Sequence, residues 1–229
     1  MDSGESETGR GSGLVVAVDG PSGAGKSSAS RGAAAALGLR YLDTGAMYRA
    51  LTWWLLSRGV DTGDPDAVAP LAAEPVIEIG TDPRAPSVRV NGTDVTSAIR
   101  SQDVTEAVSA VARVPQVRAH LIARQRDIIA SVPGIVAEGR DIGTVVAPEA
   151  PVKVFLTADG AARAGRRAAE TSRPMARTRA DQERRDRLDA PQSAKAADAV
   201  QIDSTRLGLD EVVDIIVGLA LPYRSRKDR

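Results

Sequence analysis

The chain has 229 residues, 42% of them hydrophobic, with 30 basic and 30 acidic side chains, a formal net charge of +0 and no cysteine. That length suits one compact domain with embellishments and a real core. Balanced charge weighs against nucleic acid as a partner, and the lack of cysteine excludes disulfides and thiolate chemistry and favours a cytoplasmic setting.

In chain order, MDSGESETGRGSG (1–13) is polar and Gly/Ser-rich with no apolar h-region, which reads as a disordered N-terminal tail. LVVAVD (14–19) is a continuous apolar run of strand length, as in a strand buried on both faces. After GPSGAGKSS comes an Ala-rich helical segment to about Leu37, capped by Gly38. Leu39 to Leu42 reads as a second strand, and Ala46 to Ser57 as a helix ending at Gly59. From Asp61 to Ile99 the texture changes to a loop, a short helix and two alternating strands joined by a Pro-containing turn, a small antiparallel insert. Helical periodicity returns from Gln102 to Ser131, broken near Pro115, whose ring cannot continue a helix interior.

GIVAEG and PVKVFLTA follow as core-type strands, with GRDIGTVVAPEA between them. Residues 159–188 read as helical with an interruption at Ser172-Arg173-Pro174. AVQID (199–203) is a last strand and LGLDEVVDIIVGLAL a closing helix. The alternation predicts an α/β fold whose parallel sheet offers ligands the carboxyl ends of its strands. No apolar run reaches the roughly 20 residues of a membrane span. The lone histidine, His120, sits in a helical run and cannot build a multi-histidine metal site.

Gly20-Pro21-Ser22-Gly23-Ala24-Gly25-Lys26-Ser27 fits G-x-x-x-x-G-K-[ST], and it stands between an apolar strand and a helix, the context that gives the pattern meaning. Glycines let successive N–H groups form a nest for phosphate oxygens, and the helix N-terminus adds partial positive charge. Lys26 can reach the β and γ phosphates, and the Ser27 hydroxyl, with Ser28 beside it, can meet Mg²⁺ brought in with ATP. No guanine-reading Asn-Lys-x-Asp occurs, and no strand after the glycine-rich loop presents the long apolar run ending in Asp that mechanical ATPases use for Mg²⁺. A kinase of a small acceptor remains.

A hydroxyl acceptor benefits from a carboxylate base, whereas a phosphate acceptor is already an anion and requires arginines to offset repulsion. Lysine occurs only as Lys26, Lys153, Lys195 and Lys227, so nearly all the positive charge is arginine. Arg49, Arg118, Arg140 and Arg185 lie at ends of elements or in Gly-rich turns. Arg140, directly after a core strand, is the best placed; its alternative is a structural ion pair with the neighbouring Asp141.

GPSGAGKSS, YLDTGAMYR, VSAVARVPQVR, EGRDIGTVV, APVKVFLTA and RRDRLD, in order over residues 14–220, resemble the bacterial cytidylate (CMP) kinases. The resemblance implies a P-loop NTPase-type parallel five-stranded sheet flanked by helices. A CORE would span 14–60, 101–159 and 183–229, an NMP-binding insert 61–100, and a short LID 160–182. It implies transfer from MgATP to CMP or dCMP by a monomer, with no nucleic-acid or membrane partner. Thr44, Ser109 and Arg118 match base-contacting positions, and Arg49 and Arg140 match arginines holding the acceptor phosphate. Asp141 matches an acidic neighbour near the base, and Arg185 and Asp189 match groups that address the sugar. Catalysis would then rest on Lys26, Arg49, Arg140 and Arg185.

One departure follows RRDRLD, where the family continues with Ser-x-Arg; this chain runs from Asp189 straight to Ala190-Pro191. Arg173, Arg177 and Arg179 are the LID candidates for ATP phosphates. Two other readings stay open: a kinase of a small hydroxyl acceptor such as a sugar or shikimate, with Asp43 as base, and a nucleotide-binding module that has lost transfer.

Overall fold

The computed structural model describes residues 13–171 and 175–224. The tail expected over residues 1–13 lies outside them, Gly13 apart, as does the interruption at 172–174. In chain order the elements are β1 (Leu14–Asp19), α1 (Lys26–Leu37), β2 (Arg40–Asp43), α2 (Thr44–Ser57), α3 (Pro65–Val68), β3 (Ile77–Ile79), β4 (Val88–Val90) and β5 (Thr93–Asp94). There follow α4 (Gln102–Val111), α5 (Pro115–Ala130), β6 (Gly134–Gly139), β7 (Val152–Thr157), α6 (Gly160–Thr171), α7 (Met175–Asp189), β8 (Val200–Asp203) and α8 (Leu209–Arg224).

Five strands form one sheet in the order β2-β6-β1-β7-β8, every pairing parallel. Period-2 alternation divides its side chains between two apolar layers. Val16 and Val18 of β1 pack with Ala29, Ala33 and Leu37 of α1 and with Val212, Ile216 and Ala220 of α8. Ala17 turns to the other face, where Leu42, Ile135 and Ala137 meet Met47, Leu51 and Leu55 of α2 and Val117 and Leu121 of α5. That second layer runs on without a break into Val88, Val90, Val95 and Ile99. Among the described residues no helix is long and apolar enough to cross a membrane.

Three local features differ from the sequence reading. The insert holds three antiparallel strands, β3-β4-β5, because Asn91 (φ 50°) and Gly92 (φ 78°) make a tight two-residue turn after β4. Helix α2 starts at Thr44, two residues earlier than expected, since the Asp43 side chain accepts from the Ala46 N–H at 2.9 Å and caps it. The segment after β6 is a π-helical turn, Ile142–Val146, rather than a plain loop. Pro115 stands at the first position of α5, where its missing N–H costs nothing, so the break falls at Ala112–Val114.

Candidate active site

Register brings the functional segments to one edge. Asp19 lies opposite Gly139 and Phe155, and Asp43 opposite Glu138, so the loops after β1, β2 and β6 leave the sheet together. They surround a cavity of about 210 Å³.

One end is the glycine-rich loop. Gly20 takes φ 148°, and a Cβ there would stand 2.0 Å from the Leu156 carbonyl oxygen, so only glycine lets the loop turn off β1 beside β7. Gly25 begins α1 in a left-handed conformation with no side-chain cap bond. Ser22, Gly23, Gly25, Lys26, Ser27 and Ser28 line the cavity. Gly20, Pro21 and Ala24 are outside that lining, with their carbonyls engaged: that of Gly20 accepts from Arg140 at 2.6 Å, that of Pro21 from Lys26 Nζ at 2.9 Å, and that of Ala24 from Ser204 at 3.1 Å.

Burial holds the Lys26 pKa down to about 8, Arg140 pressing the same way against the pull of Glu138 and Asp19. Burial lifts Glu138 to about 7, with Asp43 adding to the rise and Lys26 opposing it. Glu138 also accepts a short hydrogen bond from the Tyr41 hydroxyl.

The other end is built from α2, α4, α5 and the loop after β6. Thr44 and Arg49 of α2 line it, with Tyr48 between them. Thr44 donates to the Glu138 carbonyl at 2.7 Å; buried Arg49 donates to the Ile99 carbonyl at 3.1 Å and to Thr105 at 3.0 Å. The break between α4 and α5 turns Ser109 and Arg118 into the same space, and the buried Ser109 hydroxyl has no partner among the described residues. Arg118 pairs with Asp141, and Arg140 with Asp189 at 2.9 Å. The neighbour pair Arg140–Asp141, open on sequence grounds, therefore gives way to two pairs that reach across the cavity. Arg185 donates to Ser22 Oγ at 3.4 Å from α7.

Several residues here gave no sequence signal. Asp19 is buried and accepts from the N–H groups of Ile142 at 2.9 Å and Gly143 at 2.8 Å, which ties the turn after Arg140-Asp141 to the glycine-rich loop. Arg163 and Arg166 of α6 donate to the Ser22 and Ala24 carbonyls at 3.1 and 3.4 Å. The side chains of Arg173, Arg177 and Arg179 lie outside what is described. Asp189 is followed by a single 3₁₀ turn, Ala190–Gln192, and Gln192 reaches the cavity wall. His120 does not line the cavity and is half-buried on α5.

Residues 16–221 match the family model described as cytidylate kinase. The chain belongs to the cytidylate kinase family. It is 52% identical to the cytidylate kinase of Streptomyces griseus over 93% of this chain and 94% of that one. It is 51% identical to that of Nocardia farcinica, covering 88% and 90% of the two chains. In three dimensions it resembles an uncharacterized protein from Eubacterium ventriosum, with TM-score 0.51 and 10% identity over 91% of this chain and 98% of that one, a likeness of fold alone. Membership of the cytidylate kinase family makes the chain an enzyme, a phosphotransferase acting on nucleotides.

Proposed function

We propose that this protein transfers the γ-phosphoryl group of ATP to CMP and dCMP, forming CDP or dCDP and ADP. What carries the reading is the meeting of Arg49 and Arg140, from different elements, at the cavity that begins at Lys26. The relatives half identical to it bear the name of that activity. In the transfer, an oxygen of the CMP phosphate forms a bond to the γ-phosphorus as the bond to the bridging oxygen of ADP breaks in line. The attacking oxygen is already anionic, so the step requires no base. Both Asp43 oxygens are engaged, with the Ala46 N–H and with Arg100 at 3.4 Å, which weighs against a hydroxyl acceptor with Asp43 as base.

Lys26 and the glycine-rich loop would hold the donor, and Arg49 and Arg140 the acceptor phosphate, offsetting the repulsion of two anions. The Ser109 hydroxyl, without a partner among the described residues, fits with Thr44, Arg118 and Asp141 a base with mixed donors and acceptors; uracil, with the reverse pattern at one edge, would leave buried groups unpaired. Arg185 and Asp189, which line the same cavity, would address the sugar. Mg²⁺ fits the Ser27 hydroxyl, a hard oxygen at the wall of this cavity, since that ion keeps its waters and asks few protein ligands. It would neutralise charge between the phosphates. The enzyme would act as a monomer, on substrates of pyrimidine nucleotide metabolism in the cytoplasm. Neither a nucleic-acid nor a membrane partner enters the reaction.

Arg140→Ala is the test. CMP turnover should fall at least about a hundredfold, the scale for losing one charged group from a transferring phosphoryl site, while ATP binding persists. Near-normal CMP turnover in that variant would defeat the assignment.

A further inference from the structure

The short turn after α7 holds both ends of the acceptor site. Asp189, the last residue of α7, binds Arg140, and three residues on Gln192 binds Arg118. The turn is closed by Ser193, whose hydroxyl donates to the Asp189 carbonyl at 2.9 Å and whose N–H donates to the Ala190 carbonyl at 3.2 Å. Gln192 Oε1 accepts from Arg118 Nη1 at 3.0 Å, and Gln192 Nε2 donates to the Ala112 carbonyl, just past α4, at 3.4 Å. Chemistry fixes this amide orientation, because a guanidinium accepts nothing and a carbonyl donates nothing. Arg118 is thus gripped from two sides, by Gln192 on Nη1 and by Asp141 on Nη2. Two contacts on different nitrogens set the plane of the guanidinium. The same cavity is lined by the buried Ser109 hydroxyl, which finds no partner among the described residues.

We propose that Gln192 is a positioning residue for base selection, holding Arg118 in the plane that lets it and Ser109 meet the acceptor base together. The inference rests on the CMP kinase reading. When the base draws Asp141 toward itself, the Gln192 contact is the grip that stays on Arg118. Without it the guanidinium swings, and the cavity loses its preference between bases whose donors and acceptors are exchanged.

Steady-state kinetics of the full chain separate this role from a structural one. Gln192→Met removes both hydrogen bonds at nearly constant size, while Gln192→Glu keeps an acceptor for Arg118 and loses the donor to Ala112. Gln192→Met should raise the KM for CMP about tenfold and narrow the CMP-to-UMP ratio of kcat/KM, with the KM for ATP within about twofold, as expected for losing one hydrogen bond to a charged group. Gln192→Glu should stay within about threefold of the unaltered protein for CMP, because the contact to the cation is the stronger of the two. KM does not depend on how much of a variant is folded. Equal impairment of both variants would assign Gln192 to the turn and α4 instead and overturn the proposal, as would a CMP KM unchanged in Gln192→Met. If the unaltered chain turns over no CMP, the underlying reading itself fails, and that arm is read separately.

Discussion

Lys26 is a residue whose charge changes with pH just above neutrality. Burial and Arg140 hold it down to about 8, so part of the free enzyme carries a neutral amine just above that pH. Bound phosphates favour the ammonium and raise its pKa. ATP binding at pH 8.5 should therefore take up protons, more than at pH 7, where the ammonium is already formed. Calorimetry in two buffers of different ionisation enthalpy measures this, and no uptake at pH 8.5 would contradict it. Lys26 was legible in the sequence because its role follows from eight contiguous residues. Glu138 was not, since its raised pKa comes from burial in the folded sheet and from Asp43 in another strand. Arg140 was half legible: its place after a strand could be read, but its partner Asp189, 49 residues away, could not.

At the scale of elements, the turn Ile142–Val146 shows how the two loops at the sheet edge are joined. Both Asp19 oxygens accept from its first N–H groups, and burial raises the pKa of that carboxyl above the usual range. Asp19→Asn can accept only one of these bonds and turns an N–H toward the other. A buried group left unpaired costs about 1–3 kcal/mol. The melting temperature should then fall by about 2–4 °C per kcal/mol for a chain of this size, and an unchanged Tm would show that the clamp carries no stability. This turn could not be foreseen, because its geometry is set by a residue more than a hundred positions away. The long helices and core strands could be, since their periodicity is local. The two-residue β5 was missed for want of length, although Asn91-Gly92 announces the hairpin that holds it.

For the whole molecule, the insert and the main sheet share one apolar layer. Ile99 packs in it fully buried, and its carbonyl accepts from Arg49. The insert should accordingly not melt by itself. Ile99→Ala should cost about 2–5 kcal/mol, through lost burial and the cavity left behind. Tryptophan fluorescence, reporting from Trp53 and Trp54 of α2, and far-ultraviolet circular dichroism should still give one coincident transition. A separate early transition would show the insert to be an independent unit. At this scale the parallel α/β order was readable from the chain, whereas the continuity of the insert with the core was not, because it depends on packing between segments.

The most direct test of a cytidylate-type site is ADP release by the purified chain with MgATP against CMP, dCMP, UMP, AMP and shikimate at one enzyme concentration. Strong release with CMP and dCMP, weak with UMP and none with shikimate is the expected result. Release driven by shikimate would contradict the arginine-held phosphate acceptor. No release with any acceptor, in folded protein that still binds ATP, would mean that the single turn after Asp189 has left a nucleotide-binding module without transfer.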